Sequence, residues 1–254
     1  MKRNILLWVS VTLIFSLYAQ NELYLKKTFI YKTDTLPYRI LYPENYNKSE
    51  KYPLFLFLHG AGERGSDNNL QLVHGAKLFT DSINRKAFPA IVVFPQCVKN
   101  GFWAPIKDRK DGFDFGNTRK PTPQMQMVIR LLKQLQKTEA VDTKRIYVAG
   151  LSMGGMGTFD LICRYPKKFA AAVPICGGVE ISRLKKVVNV PIRMYHGGAD
   201  NVVSPEHSRN AYIELKARGA QNVELFVFPG VGHDSWTNAF AQEDFLQWIF
   251  SQKK

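Results

Sequence analysis

Three side chains in this sequence have the types and spacing of an activated nucleophile. Ser152 lies in "GLSMGG", Asp200 in "MYHGGADNVVSP" and His233 in "FPGVGHDSW". A serine hydroxyl attacks a carbonyl carbon only when a base takes its proton. Histidine is suited to that task, and a carboxylate holds the ring in its useful tautomer. Ser152 stands in a Gly-x-Ser-x-Gly pattern, after the apolar run "RIYVA" and before "MGTFDLICRYP". Such a pattern suits a sharp turn from strand to helix that lifts the hydroxyl clear of a sheet edge. Alone it also fits a tight turn that needs small residues. Asp200 and His233 strengthen the catalytic reading, because each follows a separate apolar run. The intervals of 48 and 33 residues leave room for one strand and helix each. In a parallel sheet those strand ends gather on one edge.

The competing residues are fewer. Asp234 adjoins His233, and neighbouring side chains seldom align as base and orienter. His196 ends an apolar run and is expected to pack or hydrogen-bond beneath the loop that carries Asp200. His59, before "GAGERG", reads as a loop-positioning residue. His74 and His207 lie in helix-like contexts. A tetrahedral intermediate needs two N–H donors for its oxyanion. Met153, next after Ser152, offers one. The glycine-rich "GAGERGSDN" offers the other, with Ala61 first and Gly62 second. Glu63 and Arg64 in that loop are expected to form a local ion pair. The loop lacks the Lys-Ser ending of a phosphate loop and the spacing of a dinucleotide fingerprint. No metal-ligand spacing stands out, so neither a metal nor a cofactor is expected.

Elements to position these groups are legible in the apolar pattern. "ELYLKKTFIYKTDTLPYRILYP" reads as an antiparallel hairpin. The runs at 52–59, 90–96, 145–150, 170–176, 190–196 and 223–229 are short and nearly continuous. Strands apolar on both faces belong to a parallel sheet covered by helices. "TPQMQMVIRLLKQLQK" predicts a helix capped by Thr122, with Met125, Val128, Leu132 and Leu135 on one face. "SPEHSRNAYIELKARG" predicts another, capped by Ser204 and ended by Gly219. "SWTNAFAQEDFLQWIF" predicts a last one. The expected class is α/β, a mostly parallel central sheet flanked by helices, with N-terminal antiparallel strands. The segment 97–123 is the least regular, and a long loop in a compact domain is usually functional or mobile.

The chain has 254 residues, enough for one domain with a substantial core. "MKRNILLWVSVTLIFSLYAQ" reads as a signal peptide, residues 1–19, leaving one domain over 20–254. The apolar run is shorter than a spanning helix wants, so an exported chain without a membrane span is expected, in periplasm or medium. The formal charge is +14, but the basic residues are scattered through "KDRK", "NTRK", "PKK" and "SRLKK" and mixed with acids. That pattern excludes a basic recognition helix or finger, and no nucleic-acid partner is expected. Cys97, Cys163 and Cys176 are an odd number in apolar contexts and read as core residues.

"LHGAGERGSDN", "VDTKRIYVAGLSMGGMGTFDL", "HGGADNVVSP" and "GHDSW" together resemble the α/β-hydrolase superfamily over nearly the whole chain. They look like its secreted esterase branch, which includes feruloyl esterases, acetylxylan esterases and polyhydroxybutyrate depolymerase-like enzymes. The resemblance implies a serine carboxylic ester hydrolase. It makes Ser152 the nucleophile, Asp200 the acid, His233 the base, and Ala61 and Met153 the oxyanion donors. It implies no large lid, since nothing long is inserted after "AAAVPICGG". Acetyl or feruloyl esters on plant polysaccharides are the expected substrates, with simple short-chain esters as the alternative. Trp103 in "NGFWAP" and Trp236 after His233 are each a candidate wall for a sugar or phenolic ring, or else a packing anchor. A serine peptidase and a non-catalytic carbohydrate-binding module on the same fold are the remaining readings.

Overall fold

The structure, a computed structural model, describes residues 22–106, 113–115 and 120–254. The expected signal peptide lies outside the described residues, as do parts of the 97–123 segment. An antiparallel hairpin opens the fold, with β1 (Leu25–Tyr31) and β2 (Asp34–Leu41). Six strands follow: β3 (Tyr52–Leu58), β4 (Ile91–Pro95), β5 (Val141–Leu151), β6 (Ala171–Ile175), β7 (Ile192–Gly197) and β8 (Val223–Phe228). They form one sheet in the order β1-β2-β4-β3-β5-β6-β7-β8. β2 meets β4 antiparallel. Every pairing among β3 to β8 is parallel. The predicted hairpin and the six predicted runs thus all become strands.

The apolar runs are continuous because the sheet is covered on both sides. Along β3, Leu54, Leu56 and Leu58 enter one core, while Phe55 and Phe57 enter the other. Each such side chain contributes about 1.5–3 kcal/mol on leaving water. The first core is closed by α3 (Pro123–Thr138), α4 (Met153–Arg164) and α5 (Glu206–Ala217). The second is closed by α1 (Ala76–Thr80), α6 (Trp236–Phe240) and α7 (Phe245–Ser251). A short α2 (Ser82–Ala87) links α1 to β4. In α3 the Thr122 hydroxyl accepts from Met125 N–H at 3.1 Å, and Met125, Val128, Leu132 and Leu135 are all buried, as their spacing requires.

The predicted last helix is two. It breaks at residues 241–244, where the Asp244 carboxylate accepts from Arg193 Nη1 of β7 at 2.8 Å. The break lets Phe240 reach Phe57 while Phe245 packs on Tyr195. Helical periodicity continues through "AQED", but the backbone turns there and Asp244 meets Arg193. All three cysteines are buried and free, as core residues. Among the described residues no helix is long and apolar enough to cross a membrane.

Candidate active site

The strand-to-helix turn at Ser152 is built from close backbone approaches. A Cβ on Gly150 would sit 2.4 Å from the Gly154 carbonyl oxygen, and one on Gly154 would sit 1.8 Å from that of Leu58. No other residue fits at either place, so β3, β5 and α4 converge under the serine. Ser152 itself has φ 53° and ψ −117°, a conformation that a side chain disfavours. Its N–H donates to Ile175 O at 2.9 Å and its carbonyl accepts from Met156 N–H at 3.0 Å. These bonds hold the strain in place.

The loops after β7 and β8 bring two side chains to that hydroxyl. His233 Nε2 lies 2.9 Å from Ser152 Oγ, and His233 Nδ1 lies 2.7 Å from Asp200 Oδ2. A carboxylate only accepts, so Nδ1 carries the proton and Nε2 is free to take one. Asp200 Oδ1 accepts from the N–H groups of Val202 and Val203, each at 2.9 Å. Burial raises the Asp200 pKa, but hydrogen bonds from His196, His233, Val203 and Val202 outweigh it and hold the carboxyl well below its ordinary value. Asp200 is therefore a fixed anion facing the ring. Asp234 is exposed and takes no part in this chain.

His196 lies fully buried under the Asp200 loop. Its Nδ1 meets Ser208 Oγ at 2.7 Å and its Nε2 meets Val203 O at 2.9 Å, with Asp200 Oδ2 at 3.3 Å. Ser208 is a positioning residue without a local sequence signal, since α5 brings it from beyond the loop. Cys176 lies beneath the same groups. A ligand atom from each of Cys176, Asp200 and His233 falls within 4.8 Å of the others. Burial raises the Cys176 thiol pKa strongly, which disfavours the thiolate a metal would need. The facing atoms of Asp200 and His233 are also committed to each other. The donor set does not suit a metal.

Ala61 opens a 3-10 turn, Ala61–Glu63, and Met153 opens α4. First-turn N–H groups have no acceptor within their own helix. A Cβ on Gly60 would lie 3.7 Å from Ser152 Cβ, which puts this loop beside the hydroxyl. Gly62 is exposed, with nothing within 4 Å of its Cβ position. The expected Glu63–Arg64 ion pair does not form. Glu63 Oε1 faces His74 Nε2 at 3.7 Å, while Arg64 Nε donates to Ala61 O at 2.8 Å and the guanidinium lies over Phe102. Gln96 holds the loop from behind, donating to Glu63 O at 3.2 Å and accepting from Asn68 N–H at 2.7 Å.

Trp103 is not a substrate wall. It is 0% exposed, and its Nε1 donates to His59 O at 3.0 Å. It pins the 97–106 segment to the core. Trp236 differs. It is partly exposed, edge-on to His233 at 5.7 Å and beside His74 at 5.1 Å. His74 is the aromatic neighbour that local sequence did not reveal.

His59 is buried as a neutral ring. Cys97 N–H donates to its Nε2 at 2.9 Å, so its proton sits on Nδ1, facing Gly60 O at 2.6 Å. Burial pushes its pKa down from 6.5 to about 4, against the hydrogen bond to Gly60. The unfolded chain takes this proton near pH 6.5 and the folded chain resists until about pH 4. The stabilisation is complete above pH 6.5 and is lost as pH falls towards 4, by about 3 kcal/mol. Urea unfolding across that window should show the slope, and His59→Gln should flatten it. An unchanged slope in the variant would assign it to another group. The Asp200 effect has the same sign but begins lower, as pH falls through the ordinary carboxyl range.

Residues 45–249 match the model of the phospholipase/carboxylesterase family. The chain belongs to that family. This is a family of serine hydrolases with the α/β-hydrolase fold, and the strand order found here agrees with it. A solved thermostable esterase superposes with a TM-score of 0.86 and 34% identity, over 93% of this chain and 64% of that one. Over 83 residues, 33% of the chain, the family member is 36% identical to a bifunctional acetylxylan esterase/xylanase of Neocallimastix patriciarum, of which it spans 12%. It is 25% identical over 150 residues to a probable feruloyl esterase C of Aspergillus oryzae, with 59% of this chain and 49% of that protein covered. It thus spans less than two thirds of each of these three proteins.

Proposed function

We propose that this chain is an exported serine esterase that hydrolyses acetyl or feruloyl esters on plant polysaccharides through an acyl-enzyme on Ser152. The observation that carries the reading is the continuous hydrogen-bond chain from Asp200 to His233 to Ser152, at 2.7 and 2.9 Å. His233 Nε2 takes the hydroxyl proton as Oγ attacks the ester carbonyl carbon. The oxyanion moves onto the N–H groups of Met153 and Ala61. Collapse breaks the C–O bond, and His233 returns the proton to the leaving alcohol. Water then repeats the cycle on the acyl-enzyme. Asp200 stays ionised throughout and stabilises the imidazolium.

Support for the acyl group comes from the acetylxylan and feruloyl esterase relatives and from Trp236. Its ring stands beside His233 and can flank an aromatic acyl chain. No lid domain separates β6 from β7 among the described residues, which suits a polymeric substrate. Purified protein should turn over acetyl and feruloyl esters faster than butyryl esters, and amides least. Trp236→Ala should lower the ratio of kcat/KM for methyl ferulate over 4-nitrophenyl acetate by about tenfold. An unchanged ratio removes Trp236 from the substrate wall. Turnover confined to amides would make the chain a peptidase instead.

A further inference from the structure

The sheet edge opposite the triad carries its own feature. Ser152, Asp200 and His233 stand where β5, β7 and β8 end; on the other edge β5 to β8 begin. Two adjoining cavities of about 570 and 550 Å³ open there and share Pro166, Lys167 and Lys254. The first adds Lys186, Lys253 and Asn222, and the second adds Lys144, Arg164 and Lys168. No aspartate or glutamate lines either cavity. Basic pairs that are scattered in sequence, "PKK", "LKK" and "QKK", therefore converge in space.

The nearby acids are already committed. Asp142 accepts from Arg145 Nε at 2.7 Å. Asp160 is held by Arg164 and Arg183, each at 2.7 Å. Lys253 and Lys254 still feel Asp142, and Lys168 Nζ donates to Gln136 Oε1 at 2.8 Å, but lysines outnumber acids at this edge. Burial, then Lys254 and Lys133, lowers the pKa of Lys168. Lys254 cannot swing away freely, because its Nζ donates to Lys167 O at 2.9 Å and Lys168 O at 3.0 Å. An excess of cations costs free energy that an incoming anion relieves.

Shape narrows the anion. Phe169, Ala170, Val190 and Pro191 give the larger cavity an apolar lining, and Asn189 and Asn222 add amides. Lys167, Lys186 and Lys253 are exposed around them. An apolar lining takes the C–H face of a pyranose ring, the amides take hydroxyls, and the ammonium groups take a carboxylate. A polyphosphate would prefer a free arginine fork, and Arg164, which lines the second cavity, is committed to Asp160. A bilayer would need protruding rather than recessed apolar groups. We infer that this edge is a second, non-catalytic site for a carboxylated oligosaccharide, one rich in uronic acid residues. The inference rests on charge and shape and does not require the esterase reading.

Calorimetric titration with oligogalacturonate and with a neutral xylo-oligosaccharide of equal length tests it, on the wild-type chain and on Lys186→Glu/Lys253→Glu. Both changes are at exposed positions far from Ser152. The wild type should bind the acidic oligomer, more weakly as salt rises, and the neutral one poorly. The double variant should lose about tenfold or more in affinity for the acidic oligomer. Its melting temperature and its turnover of 4-nitrophenyl acetate should match the wild type. Equal binding of the neutral oligomer, undiminished binding by the variant, or no binding at all would overturn the proposal. Tighter binding of single-stranded oligonucleotide or anionic vesicles, lost in the variant, would also overturn it. A chain that binds but hydrolyses no ester would leave this site standing and remove the esterase reading.

Discussion

Ser152→Ala is expected to lower kcat on 4-nitrophenyl acetate by about a million-fold while leaving the fold intact. Among the described residues the hydroxyl hydrogen-bonds to His233, and the turn does not depend on it. The backbone of that turn is held by Ile175 O, by Met156 N–H and by the glycine approaches at 150 and 154. Alanine should therefore melt close to the wild type. Ser152→Gly separates chemistry from strain. It should be as inactive as alanine, yet more stable. A side chain at φ 53° and ψ −117° costs about 1–3 kcal/mol, and glycine escapes that cost. Glycine loses about 0.4–1 kcal/mol of this through the freedom it adds to the unfolded chain. A net gain of about 1 kcal/mol over alanine is expected, read by chemical denaturation. Glycine no more stable than alanine would mean that the turn is unstrained. Either variant retaining wild-type rates would remove Ser152 as nucleophile.

The strands were legible because burial on both faces forces an uninterrupted apolar run, and a short run is a local signal. The placing of Ser152, Asp200 and His233 was legible for a related reason. Each follows such a run, and a parallel sheet brings strand ends to one edge whatever lies between them. Side-chain direction is another matter. Trp103 and Trp236 look alike in sequence, each near a motif. One is sealed against His59 and the other opens beside His233, and although His233 lies three residues before Trp236, neither ring's burial is written in its neighbours. Glu63 next to Arg64 invited a pairing by adjacency. The 3-10 turn sends Glu63 towards His74, while Arg64 reaches back to Ala61 O. The break at Asp244 comes with a contact to Arg193, 51 residues earlier. The basic edge was hidden for the same reason, because "PKK", "LKK" and "QKK" meet only once β5 to β8 are laid side by side. Local pattern encodes elements; the contacts between elements carry the rest.

Asp200→Asn is expected to lower kcat by about ten-thousandfold, through the tautomer of His233 and not through lost structure alone. The two amides of Val202 and Val203 already claim Oδ1, and an asparagine can keep its oxygen there. Its Nδ2 then replaces Oδ2 and points N–H groups at two donors. His196 cannot adapt, because the Val203 carbonyl only accepts and keeps Nε2 a donor, while the Ser208 hydroxyl serves Nδ1. His233 can, by moving its proton to Nε2 and accepting from the amide at Nδ1. The ring then offers Ser152 a donor where it needs a base. Two outcomes distinguish this from simple loosening. Covalent labelling of Ser152 by an organophosphonate should slow in parallel with kcat, and KM should change little. The donor facing His196 should cost about 1–3 kcal/mol of stability as well. Asp234→Asn is the control, since Asp234 is exposed and adjacent in sequence to His233 without facing its ring nitrogens. It should stay within about twofold of the wild-type rate, as surface changes away from a network do. If Asp234→Asn instead carried the large loss and Asp200→Asn the small one, the orienting carboxylate would be the neighbour in sequence, and the hydrogen-bond chain through Asp200 would have no part in catalysis.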